Sequence, residues 1–249
     1  MDLAQFLIVA AAFALGGAVK GVVGLGLPTV ALAVLGTGLG PSEALPLLVA
    51  PAFLTNVWQA TAGGRLASLL RRFWPLLLAG VPGAVLGTAI FVRAEPALLD
   101  TLLGAVLCAY AVSSLSGRSL AVPGGRERAL GPVVGFGTGV VAGTTGTLVL
   151  PVVPYLTGLG LERDELVQAM GISFALSSFT LGAALSAQGA LGFERLAASI
   201  LAVLPAAAGM LAGQRIRQRI PPQRFRQGLF LCLLALGANL IWRGLAAPL

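Results

Sequence analysis

The sequence contains a single lysine, Lys20, and it stands inside an otherwise uncharged run of more than thirty residues. Its surroundings read Gly16-Gly17-Ala18-Val19-Lys20-Gly21-Val22-Val23-Gly24-Leu25-Gly26-Leu27-Pro28. An ammonium in hydrocarbon costs roughly 3 kcal/mol unless water or a partner meets it. No carboxylate is read inside the apolar segments, so an anion from solution is a candidate for the missing charge. The plainer alternative places Lys20 at a cytoplasmic turn, where it only adds to the basic side of a membrane protein. Both readings stay open on the residues alone.

A second segment has the same character. Ala142-Gly143-Thr144-Thr145-Gly146-Thr147 offers three hydroxyls beside bare glycine backbone. If a helical arm starts there, its free N–H groups and macrodipole favour an anion. Pro28 suits the opening turn of an arm after the first break, where its missing N–H costs nothing. The candidate binding set is therefore Lys20, Gly21, Gly24 and Gly26 at the first break, with Thr138, Gly143, Thr144, Thr145, Gly146 and Thr147 at the second. Asn56, Gln59, Ser173, Ser177 and Ser178 join it as polar residues within apolar runs. Each has a structural alternative: threonines cap and pack helices in membranes, and polar side chains bond neighbouring helices. Glycines at 131, 135, 139 and 143, and at 17 and 21, recur every fourth residue and point to close helix packing.

Other chemistry lacks its residues. The sequence has no histidine, no G-x-x-x-x-G-K-[ST] phosphate loop and no cluster of metal ligands, so neither ATP hydrolysis nor metal-assisted catalysis is expected. No nucleophile is paired with a base in the apolar runs. We therefore expect no enzyme activity, no catalytic residue, no metal and no cofactor. The net charge of +7 sits in short loops between apolar runs, which argues against nucleic acid as a partner. Cys108 and Cys232 lie in apolar runs and imply no disulfide.

These residues must be held by membrane-embedded elements. Of 249 residues, 57% are hydrophobic and 10% charged, with mean hydropathy +0.94; a soluble domain carries about 25% charged residues. The first segment runs straight from Met1-Asp2 into apolar residues without a basic stretch, and is expected to belong to the mature protein rather than to a signal peptide. Apolar stretches occupy roughly 3–37, 42–62, 73–92, 98–115, 130–158, 166–187, 196–213 and 227–242. Six have the length of one crossing, about 20 residues. The first and fifth are too long and carry glycine near their middle, so each reads as two arms joined by a break.

The break recurs because the sequence repeats. Lys20-Gly21-Val22-Val23 aligns with Thr138-Gly139-Val140-Val141, and Thr37-Gly38-Leu39-Gly40 with Thr157-Gly158-Leu159-Gly160. The pair Gly83 and Gly87 aligns with Gly209 and Gly213, with Pro82 and Pro205 before them. Two related halves are expected, residues 1–115 and 130–249, joined by a cytoplasmic linker at 116–129. Straight crossings by both long stretches divide the arginines eight to seven; stretches that enter and return divide them twelve to three. The positive-inside rule selects the second division. It places loops 63–72, 116–129, 159–165 and 214–226 in the cytoplasm, both termini outside, and the halves in inverted topology. Residues 145–158 are too short to cross, which favours a re-entrant hairpin in the second half; the first half fits either form.

The long first segment with its glycine-rich break, repeated as Gly135-Phe-Gly-Thr-Gly139 through Gly146-Thr-Leu-Val-Leu-Pro151, resembles the sulfite exporter TauE/SafE family of permeases. The sequence departs from that family's run of consecutive glycines at both breaks. The resemblance implies an all-α integral membrane protein of two inverted repeats, each a broken or re-entrant first helix followed by three transmembrane helices. It also implies transport of sulfite, organosulfonates or related small anions across a bacterial inner membrane, with the two breaks as the binding region. The expected partners are the lipid bilayer and a small anion, and an oligomer is compatible with the sequence. The rival expectation is a non-transporting membrane scaffold or assembly factor that uses its glycine stripes to hold partner helices.

Overall fold

The protein is described by a computed structural model covering residues 3–116, 122, 126–216 and 222–247. Arg118, Arg217, Arg219 and most of the linker at 116–129 lie outside the described residues, as do the side chains of Arg224 and Arg226. Eleven helices follow one another among the described residues. The first half contains α1 (Leu3–Val23), α2 (Leu27–Gly38), α3 (Pro41–Thr61), α4 (Leu66–Arg93) and α5 (Pro96–Leu115). The second contains α6 (Glu127–Thr145), α7 (Val152–Gly158), α8 (Arg163–Ala187), α9 (Phe193–Leu201), α10 (Val203–Ile216) and α11 (Pro222–Ala246). Among the described residues, six segments are long and apolar enough to cross a bilayer: Gln5–Val23, Leu66–Arg93, Pro96–Leu115, Arg163–Ala187, Phe193–Ile216 and Gln227–Ala246. The chain is a multi-pass membrane protein.

Both long stretches are broken, as their glycines suggested. The break falls later and less symmetrically than the sequence implied. In each half the first arm has crossing length, about 31 Å for α1 and 28 Å for α6 at ~1.5 Å per residue. The second arms, α2 and α7, reach only about 18 Å and 10 Å. Gly24 and Gly26, at φ +90° and +104°, turn the chain between α1 and α2, in a region that side chains with a Cβ rarely enter. The second break begins at Gly146, φ +71°, after α6 has ended with Thr145.

Four other expectations change. The stretch 42–62 becomes the 21-residue α3 but is not among the six long apolar spans; Glu43, Asn56, Gln59 and internal prolines lower its hydropathy, and the first arm takes its place. Arg71 and Arg72 stand on α4 rather than in a loop at 63–72. The stretch 196–213 divides into α9 and α10 at Ala202, where Pro205 cannot donate to the Leu201 carbonyl. A carboxylate does lie in an apolar segment: Asp100 on α5 is buried, with Oδ2 3.8 Å from Arg243 on α11.

Packing between the halves is reciprocal. α1 lies on α10 and α6 on α4; α3 lies on α8 and α5 on α11. The glycine stripes make the first two contacts backbone to backbone. A Cβ at Gly17 or Gly21 would collide with the main chain of α10 at Ala206 and Met210, and one at Gly135 or Gly139 with α4 at Leu76 and Gly80. In return Gly213 rests on Ala18 and Gly83 on Phe136. The packing thus matches Gly83 with Gly213, four residues from the alignment with Gly209. Ion pairs repeat the exchange: Arg65, before α4, pairs with Glu165 on α8, and Arg195 on α9 pairs with Glu43 on α3.

This interlock predicts a specific sensitivity. Gly139→Ala should destabilise the protein by about 1–3 kcal/mol through overpacking against α4. Gly228→Ala on α11, where a Cβ meets nothing within 4 Å, should be neutral or stabilising by about 0.8 kcal/mol through helix propensity. Thermal unfolding of the two variants in one detergent checks both.

Candidate functional site

Lys20 lies in the last turn of α1 and is 4% exposed. Its neighbours fix where it points. Gly17 and Gly21 press α1 against α10, and the ammonium reaches α3 instead. There Nζ donates to Thr55 Oγ1 at 3.1 Å and to Asn56 Oδ1. Thr55 donates its own proton to the Pro51 carbonyl at 2.7 Å, so a lone pair faces the lysine. Both partners are neutral. Among the described residues no carboxylate forms an ion pair with Lys20, and the neighbouring Asn56 Nδ2 is buried without an acceptor.

A cavity of about 460 Å³ opens beside this group, within the 300–1,000 Å³ range of small-molecule sites. Lys20, Gly21 and Gly24 line it from α1 and the break, Thr55, Trp58 and Gln59 from α3, Asp164, Val167 and Gln168 from α8, and Met210 and Gln214 from α10. It lies where α3 and α10 end and α8 begins, beside Arg65 and the short connections at 62–65 and 159–162. The cavity therefore offers the remaining N–H of the Lys20 ammonium and side-chain amides, the Thr55 proton being already given to Pro51, with one acidic residue in its lining, Asp164, at the exposed start of α8. Such a set can hold a compact oxyanion.

Two glutamines tie its walls together. Gln59 Nε2 donates to the Val167 carbonyl at 2.7 Å, and Gln168 Nε2 donates to the Ala60 carbonyl at 2.7 Å. Gln168 Oε1 also accepts the Arg65 main-chain N–H at 3.1 Å. Gly171 permits the close approach, since a Cβ there would strike the α3 backbone at Gln59 and Ala60.

The remaining sequence candidates are distributed elsewhere. Gly26 caps α2; in the first turn of that helix Thr29 Oγ1 is buried without a partner. Thr138, Ser173 and Ser177 line a separate small pocket among α4, α6, α7 and α8. Ser178 is buried nearby on α8, its Oγ without a partner. Gly143 packs on α4 at Ala84 and Thr88. Thr144 and Thr145 end α6 rather than open the next arm, and their hydroxyls donate to the Val140 and Val141 carbonyls. Gly146 presses on Leu32 and Leu45, and Thr147 is fully buried. The two breaks therefore do not line one cavity: none of the residues 142–147 lines the space beside Lys20. Thr55, Trp58, Asp164, Gln168, Met210 and Gln214 were not singled out by sequence. Thr55 adjoins Asn56 and could have been; the others become neighbours only through tertiary packing.

A family model described as sulfite exporter TauE/SafE matches residues 8–240. The chain belongs to that family. No curated protein and no solved structure matches the chain. The TauE/SafE match spans both breaks, the Lys20 cavity and the reciprocal helix contacts, so the family assignment and the membrane architecture describe the same residues. Membership places the chain among membrane transporters.

The glutamine clamp gives a test of the cavity wall. Gln168→Ala removes two hydrogen bonds, each worth about 1 kcal/mol, and should lower unfolding stability by roughly 2 kcal/mol. Gln168→Glu keeps the Arg65 contact but sets a buried carboxylate oxygen against the Ala60 carbonyl, and should be at least as destabilising as Gln168→Ala in the same assay.

Proposed function

We propose that this TauE/SafE protein exports a small oxyanion of the sulfite or organosulfonate class through the Lys20 cavity. One observation carries the proposal: a buried ammonium held, among the described residues, by the neutral Thr55 and Asn56 at the wall of an open cavity. An arriving anion supplies the charge that Thr55 and Asn56 cannot. Behind the cavity wall, Asn56 Nδ2 is a further buried donor without a partner. Met210 and the glycine backbone leave room for the anion without adding negative charge.

The two halves, 1–115 and 130–249, act in this proposal as inverted repeats, an arrangement supported by the reciprocal pairing of α1 with α10 and α6 with α4. The arginine division supports a cytoplasmic linker at 116–129 with both termini outside, and a bacterial inner membrane as the location is part of this proposal on the TauE/SafE membership alone. The cavity then faces the cytoplasm. An anion leaving a cell that is negative inside gains about 2.3 kcal/mol per charge per 100 mV, so efflux proceeds without proton transfer.

Proteoliposomes loaded with sulfite supply the test. Wild-type protein should release it faster than empty liposomes, and Lys20→Ala should reduce that release by more than about tenfold, the equivalent of 1.4 kcal/mol. Equal release by a folded Lys20→Ala variant would remove the lysine from the mechanism. No release by wild type, with a stoichiometric protein partner retained on purification, would instead favour the scaffold function.

A further inference from the structure

Where α4 and α6 begin, the two halves meet in a group of arginines that the anion cavity does not use. The helices run parallel, with Leu76 against Gly135 and Ala84 against Gly143. Arg71 and Arg72, in the second turn of α4, therefore stand beside Glu127 and Arg128 in the first turn of α6. A cavity of about 590 Å³ lies between them, lined by Arg71, Arg72, Trp74, Pro75, Glu127 and Arg128. It shares no lining residue with the Lys20 cavity.

The one acid among these lining residues is already engaged. Arg72 donates from Nε to Glu127 Oε1 and from Nη2 to Oε2, both at 2.8 Å, a two-point pair that fixes both side chains. Arg71 and Arg128 are exposed and pair with no carboxylate among the described residues. Three arginines against one glutamate leave an excess of two positive charges in the lining, carried by one guanidinium from each half. Guanidiniums match the geometry of phosphate oxygens. The same cavity has an apolar side. Trp74 lines it, and Leu78, four residues on, shares that face of α4; both are exposed.

We propose that this cavity binds an anionic phospholipid, with Arg71 and Arg128 holding the headgroup phosphate and the acyl chains lying along Trp74 and Leu78. The 28 residues of α4 extend about 42 Å at ~1.5 Å per residue, beyond the ~30 Å hydrocarbon core, so its first turns stand in the headgroup layer. The arginine division puts the starts of α4 and α6 on the cytoplasmic side, where basic cavities between helices recognise lipid phosphates. A soluble anion would meet the arginines and leave the apolar side unused; an amphiphile satisfies both. A zwitterionic lipid brings its own ammonium, which the surplus positive charge repels. The bound lipid joins α4 of the first half to α6 of the second, reinforcing the glycine interlock between them. The proposal does not depend on the identity of the transported anion.

Thermal unfolding of the purified full chain in a neutral detergent, without sulfite, tests it. Phosphatidylglycerol should raise the melting temperature saturably, and phosphatidylcholine with the same acyl chains should act at least tenfold more weakly. Arg71→Ala/Arg128→Ala should weaken the apparent affinity for phosphatidylglycerol by about twentyfold, near fivefold for each basic residue lost. Arg93→Ala, at the far end of α4, should leave it unchanged. If the double variant does not fold, Arg128→Gln alone should show the fivefold weakening. Lys20→Ala should keep the lipid response, which separates this site from the anion cavity. Equal stabilisation by the two lipids, or a phosphatidylglycerol response that survives loss of both arginines in a folded variant, would overturn the proposal. Glycerol phosphate, the headgroup chemistry without chains, should stabilise little at the same concentration; if it matched the lipid, the cavity would belong to a soluble anion and the proposal would fall.

Discussion

A buried ammonium that no carboxylate pairs with among the described residues constrains everything around it. Removing such a charge from water is expensive, and neutral hydrogen-bond acceptors recover only part of the cost. Thr55 and Asn56 supply the acceptors, Pro51 takes the threonine's proton, and the wide cavity keeps the other side of Lys20 within reach of water or solute. The arrangement leaves the group short of one partner of opposite sign. A protein built only for stability would have placed a carboxylate there, as it does for Arg65, Arg72 and Arg195.

Holding that group in place falls to glycine. The α1–α10 and α4–α6 contacts bring backbones together where no side chain fits, which gives these helices a fixed register even though lipid supplies no hydrophobic drive to pack them. Once α1 is locked to α10, Lys20 has one direction left to point. The breaks at Gly24–Gly26 and Gly146 then allow the short arms α2 and α7 to turn back and bury Leu27, Leu32 and Leu35, and Val152 and Leu156, in the core.

Much of this was legible from residue types. Lys20 stood out because a membrane segment tolerates so few charges, the glycine stripes because their spacing has one common structural use, and the two breaks because no single helix of that length fits a bilayer. Asn56 and Gln59 were visible as polar residues in an apolar run. What the sequence could not convey was direction. Thr144 and Thr145 looked like donors at a helix start, yet α6 continues to Thr145 and their protons return to its own carbonyls. Gln168 sat near a segment end and looked unremarkable; only the approach of α8 to α3 at Gly171 makes it a clamp. Asp100 escaped notice because an apolar window averages over one acid, and its partner Arg243 lies far along the chain.

The central claim is that Lys20 is kept unpaired so that an anion can complete it. The most direct measurement is an experimental structure of the protein in lipid, determined with sulfite or a heavier analogue such as selenite. The account predicts density for the anion within hydrogen-bonding distance of Lys20 Nζ, in the space lined by Thr55, Gln59 and Gln168. Anion density confined to some other part of the molecule, or a Lys20 side chain ion-paired with a carboxylate of the protein, would contradict it.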